Sequence, residues 1–153
     1  MKEGLKKCEI FRDSRSTPSV SEKGKTFQLE NKKSQLEIFG ITIDGCVFTK
    51  KDGIKCDYLL GVDSKKKLFY VELKGTDIVK AIDQIESTIK KTKDLYTGWV
   101  YEARIVLGNS VPDLAKRREL DSLTKLVNSS GGRIIIKHQN LYKEPHKVWN
   151  TTQ

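Results

Sequence analysis

From Phe27 onward the apolar residues of this chain fall into short runs whose period changes along the sequence. "TFQLEN" reads as a short strand, and "LEIFGITIDGCVF" as another, with Leu36 and Ile38 on one parity and Ile41 and Ile43 on the other. Gly40 stands between the two sets, which predicts a bulge or a change of face there. "KKDGIK" predicts a turn, because Asp52-Gly53 is a strong hairpin signal. "CDYLLGV" and "LFYVELK" follow as strands around the lysine-rich turn "DSKKK". Over 77–95 the period becomes helical: Ile78, Ile82, Ile85 and Ile89 form one stripe, with Asp77 placed to cap the first turn. "WVYEARIVLG" is again a strand. A second helix is predicted from near "SVPDLAKRREL" to "SSGG", with Leu120, Leu123 and Val127 on its inner side, and "RIIIK" is a last strand.

Antiparallel strands followed by helix, strand, helix, strand predict an α/β fold with a mixed central sheet flanked by helices. The segment from 68 to 107 reads as a parallel strand–helix–strand crossover. A chain of 153 residues is expected to form one domain. Residues 1–25 are polar and weakly periodic and read as an irregular lead-in with a short helix around 5–11; the core runs over 27–138 and a tail over 139–153.

Charge sharpens this picture by its distribution. The net +9 divides into +4 over residues 1–35, zero over 36–114 and +5 over 115–153. Cationic ends around a middle that keeps its carboxylates suit a polyanion attracted by the ends and processed in the middle. The longest apolar runs span a few residues, against the roughly 20 needed to cross a bilayer, and the charged N-terminus has no secretory core. A soluble, cytoplasmic protein without membrane association is the expectation. Cys8, Cys46 and Cys56 form no CxxC pair, so free thiols are expected rather than a zinc site or a disulfide. His138 and His146 lack partners at metal-ligand spacing, and Trp99 and Trp149 read as core or interface residues.

The candidate chemistry lies where the strand pattern is strongest. In "LFYVELK", Phe69, Val71 and Leu73 share one face, while Tyr70, Glu72 and Lys74 share the other. Asp57 is on the preceding strand, and antiparallel pairing sets it opposite the neighbourhood of Glu72 and Leu73. A one-residue difference at the turn decides whether it joins the Glu72 face. Two converging carboxylates repel unless a cation neutralises them, so Asp57 and Glu72, with the Leu73 carbonyl, make a natural site for Mg²⁺ or Mn²⁺. Such an ion would acidify a water and polarise a phosphate, and Lys74 would orient or deprotonate the water and offset developing charge.

"CDYLL", a turn, "YVELKG" and then an amphipathic helix together resemble the PD-(D/E)XK nuclease superfamily, which includes restriction endonucleases and Holliday-junction resolvases. The resemblance covers about residues 36–107. It implies a restriction-endonuclease-like core and metal-dependent endonuclease activity on DNA, with the family's two acids at Asp57 and Glu72 and its lysine at Lys74. Some members carry Q-x-x-x-Y on the helix after the lysine. Gln84 stands at the matching distance and is taken as a catalytic candidate, although Thr88 replaces the tyrosine and Gln84 lies off the isoleucine stripe, as an exposed glutamine would. The family's further acid on an N-terminal helix has no clear counterpart, since Glu30 and Glu37 fall in predicted strands.

For phosphate contact, Lys116, Arg117 and Arg118 on the second helix offer the better cationic face. Lys65, Lys66 and Lys67 read as a solvated turn. Cutting both strands of a duplex would call for a homodimer. Two other readings share these features: an inactive nuclease-like fold that binds nucleic acid, and a protein-binding inhibitor or immunity factor whose cationic ends meet an acidic partner.

Overall fold

Glu9–Asp13 (β1), Ile38–Thr42 (β4), Tyr58–Val62 (β5), Lys67–Glu72 (β6), Val100–Leu107 (β7) and Ile134–His138 (β8) form one six-stranded sheet, in the order β1-β4-β5-β6-β7-β8. The structure is a computed structural model and describes residues 2–49, 51, 53–73, 77–108 and 118–145. From β1 to β6 neighbouring strands are antiparallel, and β6, β7 and β8 run parallel, so the sheet is mixed as the element order predicts. The strands β6 and β7 are buried at every position, which explains why they read as near-continuous apolar runs.

Two layers cover that sheet. On one face lie the helices Ile78–Thr92 (α2) and Arg118–Ser129 (α3), packed on Phe39, Ile41, Leu59, Leu68, Tyr70 and Ile105, with Leu5 of the helix Lys2–Lys7 (α1) in the same cluster. The Asp77 carboxylate accepts from the Lys80 backbone N–H at 3.0 Å, so the predicted cap starts α2, and the isoleucine stripe is buried. The other face is covered by a second sheet that the sequence pattern did not predict. Its strands are Ser19–Glu22 (β2), Lys25–Leu29 (β3) and Leu141–Glu144 (β9), in the order β2-β3-β9. Phe27 and Leu29 pack there against Leu60, Val62, Phe69, Val71 and Val106.

Several expectations change accordingly. Residues 1–25 are not an irregular lead-in: they hold α1, β1 and β2, and the helix lies before residue 8 rather than over 5–11. The stretch 139–145 is not simply tail, because β9 pairs in parallel with β3. The parity switch around Gly40 needs no change of face. Strand β4 is covered on both sides, with Ile38 in one cluster and Phe39 and Ile41 in the other. The bulge lies instead in β1, between Glu9 and Phe11, where the Phe11 ring occupies the space a side chain at position 40 would need. Among the described residues no tight hairpin forms around Gly53. Thr42 pairs with Tyr58, so the connection runs from Ile43 to Asp57; Asp52 itself lies outside the described residues.

Cys8 and Cys46 are joined in a disulfide, which overturns the expectation of free thiols for these two; Cys56 remains a buried thiol. No helix among the described residues is long and apolar enough to cross a membrane.

Candidate functional site

The turn between β5 and β6 decides the register that the sequence left open. A 3₁₀ turn over Asp63–Lys65 ends in Lys66, which adopts the left-handed conformation with φ 49°. Lys67 then enters β6 and pairs with Val62, so the turn holds four residues rather than five. Tyr58 pairs with Val71 and Leu59 with Tyr70, which makes Asp57 and Glu72 the next facing pair. Leu59 and Tyr70 face the helical layer, and Asp57 and Glu72 share that parity.

Each carboxylate is fastened to the other's strand. The Leu73 N–H donates to Asp57 Oδ2 at 2.9 Å, and the Asp57 N–H donates to Glu72 Oε1 at 3.1 Å. Both side chains are buried, Asp57 at 3% and Glu72 at 0% exposure. The negative potential extends to the neighbouring Cys56, whose thiol is pushed far up by burial, then by the charge of Glu72 and, more weakly, of Asp57. That thiol is therefore not a nucleophile at neutral pH.

Helix α2 holds the segment that leads into Asp57. Gln84 Nε2 donates to the Lys55 carbonyl at 3.2 Å, and the Cys56 N–H donates to Thr88 Oγ1 at 2.8 Å. Thr88 in turn donates to the Gln84 carbonyl at 2.8 Å. Gln84 is thus buried rather than exposed, because the segment 55–57 crosses its side of the helix. Its Oε1 is buried with no hydrogen-bond partner among the described residues. From below, the Ile43 N–H donates to the Asp57 carbonyl at 3.0 Å, bracing Asp57 against the loop that carries Cys46.

The other predicted site residues are scattered. Lys74, Lys116 and Arg117 lie outside the described residues, as do His146 and Trp149. Arg118 is exposed at the start of α3, next to Glu119. That helix faces acidic ground on α2: the Asp83 carboxyl is raised by burial and then by Glu119, Glu86 and Asp77. Glu37 is outside β4 and pairs with Arg12 at 3.3 Å, and Glu30 follows the end of β3, so neither is the strand residue expected. Among the described residues no group of three His, Cys, Asp or Glu side chains forms a metal cluster. Lys67 is not a solvated turn lysine. It is 3% exposed, 4.0 Å from Glu102, and its pKa is lowered by burial against the pull of Glu102.

Two contacts near the site had no strong sequence signal. The Tyr58 hydroxyl, next to Asp57, shares its one proton between the Ser21 carbonyl at 3.0 Å and Glu22 Oε2 at 3.2 Å, tying the β2–β3 hairpin to the start of β5. Tyr58 is pushed up to about 12 by burial and by Glu22. Thr88 was legible only as the residue four after Gln84.

The buried phenols carry a prediction. Tyr70, hydrogen-bonded to Thr92 at 2.7 Å, is raised above its ordinary 10 by burial. Unfolding returns Tyr70 to 10 and Cys56 to 9, so above those values the unfolded chain releases protons that the folded chain keeps. Stability therefore falls as pH rises, by about 1.4 kcal/mol per pH unit for each such group. Lys67 acts in the opposite sense below 10.5, since its folded form binds the proton less readily. Urea midpoints should decline from about pH 10 to 11, where Tyr70 and Cys56 act together and the Lys67 effect fades, and the slope should be shallower in Tyr70→Phe. An equal slope in that variant contradicts the assignment.

Comparison with known proteins adds no relative: no family model matches the chain, and neither curated proteins nor solved structures give a significant match.

Proposed function

We propose that this protein is a metal-dependent nuclease that hydrolyses DNA phosphodiester bonds, with Asp57 and Glu72 at its centre. The observation that carries the reading is the register at the β5–β6 turn, which sets these two buried acids face to face, with the Glu72 carboxylate accepting from the Asp57 N–H and the Asp57 carboxylate from the Leu73 N–H. Two carboxylates so placed favour a hard divalent cation, and the strand–strand–strand–helix–strand order from β4 to β7 accords with the restriction-endonuclease-like core that the sequence resembles.

Asp57, Glu72 and the carbonyl of Leu73 would hold Mg²⁺ or Mn²⁺, and the bound ion would supply Lewis acidity and a more acidic water. The protein's own part is positioning. The Leu73 N–H and the Ile43 N–H fix Asp57 at its carboxylate and its carbonyl, and Gln84 and Thr88 hold the two residues before it. Lys74 would take or orient the proton of the attacking water and offset charge on the phosphate.

Asp57→Asn and Glu72→Gln test this directly, since each keeps an oxygen for its observed backbone donor and removes only the charge. Each should lower Mg²⁺-dependent cleavage of plasmid DNA by about 10³-fold, the effect of losing several kcal/mol of transition-state stabilisation, and abolish the calorimetric signal for Mn²⁺. Cleavage that survives both substitutions overturns the proposal. DNA binding with neither Mn²⁺ heat nor cleavage would favour the inactive DNA-binding module.

A further inference from the structure

The cationic ends of the chain meet its acidic middle at one place. We infer that Lys23, Lys25 and Lys137 form a phosphate-binding rim along the carboxyl ends of β6, β7 and β8, over which a nucleic-acid backbone reaches Asp57 and Glu72. Glu72 ends β6, and the neighbouring ends of β7 and β8 are Leu107 and His138. In open α/β sheets ligands gather at the carboxyl ends of the parallel strands.

Three independent contacts bring lysines to this rim. The β2–β3 hairpin turns through Lys23 and Gly24, at φ 48° and 78°, so that its tip projects Lys23 and Lys25 on either side of the glycine. Tyr58 anchors the hairpin beside Asp57 through Ser21 and Glu22. The Lys25 side chain lies over Gly108, just past the end of β7, with Cε 2.8 Å and Nζ 3.0 Å from where a Cβ would stand. A side chain at 108 would displace it, so the glycine makes room for the lysine. From the other terminal segment, Lys137 pairs at the level of Val106 near the end of β8, with its Nζ 5.4 Å from the Tyr142 ring centroid. Lys23 and Lys137 are exposed and Lys25 is half-buried. The one nearby acid on the hairpin, Glu22, is engaged by Tyr58.

Charge complementarity selects the occupant. Adjacent strands are about 4.8 Å apart, so the rim crosses roughly 10 Å from β6 to β8 and gathers cations along the strand ends at which Glu72 stands. A phosphodiester backbone, with regularly spaced single charges, fits that arrangement. The cleft at the opposite end of the sheet, about 270 Å³ and lined by Phe39, Tyr96 and Trp99, does not. Its Arg12 is already matched by Glu9, Glu37 and Asp63 at 2.8–3.3 Å.

The rim rests on the nuclease reading only for what happens after binding, so binding is measured without metal. Labelled duplex DNA is titrated with the full chain in EDTA over a series of salt concentrations. The triple variant Lys23→Gln, Lys25→Gln, Lys137→Gln is compared with a charge-matched control, Lys6→Gln, Lys7→Gln, Lys65→Gln. Each lost phosphate contact should reduce the slope of log affinity against log salt by about 0.9, so the rim variant should lose up to about 2.7 and the control much less. An unchanged slope in the rim variant, an equal loss in the control, or no salt-dependent binding by the wild type overturns the rim. Cleavage is scored separately with Mg²⁺. A wild type that cuts while the rim variant keeps its slope leaves the nuclease reading standing and removes the rim, whereas rim-dependent binding without cutting does the reverse.

Discussion

Arg104→Ala is expected to destabilise the protein by about 3–5 kcal/mol, as removal of one partner from a buried ion cluster does. Arg104 is fully buried between the two sheets. Its guanidinium donates to Glu144 on β9 at 2.6–3.2 Å, to Glu102 on its own strand at 2.7 Å, and to the carbonyls of Ala103 and Arg133 at 3.0 Å each. Burial opposes its charge, and the two glutamates outweigh that, keeping its pKa above the ordinary arginine value. Truncation would leave two carboxylates in a dry interior, with Lys67, 4.0 Å from Glu102, as a weak substitute. Replacing the whole cluster, Arg104→Met with Glu102→Leu and Glu144→Leu, should recover most of the loss, because desolvation of the charges disappears together with their attraction. Urea unfolding measures both. A cost below about 1 kcal/mol for Arg104→Ala would mean that the cluster does not hold the sheets together. Glu144 belongs to β9, which pairs with β3, so the same variant should loosen the hairpin that carries Lys25.

Loss of the Cys8–Cys46 bond is expected to cost about 4 kcal/mol, the loop-closure value for a separation of 38 residues. The bond ties the α1–β1 junction to the loop between β4 and β5. In that loop the Cys46 N–H donates to the Ile43 carbonyl at 3.3 Å, and Ile43 donates to the carbonyl of Asp57. The staple therefore supports the backbone of a proposed metal ligand. A reductant should lower the urea midpoint of the wild type but leave that of Cys8→Ala, Cys46→Ala unchanged. The unfolded, unreduced protein should titrate one thiol, Cys56, and the reduced protein three. Three thiols without reductant would rule the bond out.

Both clusters were invisible in the sequence for a common reason. Arg104 lies 40 residues from Glu144, and Cys8 lies 38 from Cys46, so neither pair has a local signature. The small sheet was missed on different grounds. Its β2 is four residues long with one buried side chain, Val20, and β1 of the main sheet is five residues with one, Phe11. Such strands show no alternation to detect, and they are held by the apolar faces on which Phe11 and Val20 pack. The burial of Gln84 is not legible because a helical wheel measures distance from the isoleucine stripe and cannot show a loop crossing beside it.

The sequence by itself determined the elements whose physics is local. The isoleucine period and the Asp77 cap specify α2, the apolar runs specify β5, β6 and β7, and strand alternation assigns a face to Glu72. It also divided the charge into cationic ends and a neutral middle. Tertiary structure alone decided which side Asp57 takes. Lys67, a lysine by sequence suited to a turn, is drawn into β6 near Glu102, and that single residue sets the pairing that brings Asp57 opposite Glu72. Likewise, only folding carries Lys25 and Lys137, from the two ends of the chain, to the carboxyl ends of β7 and β8. Register and convergence depend on contacts between residues far apart in sequence, and no local pattern encodes them.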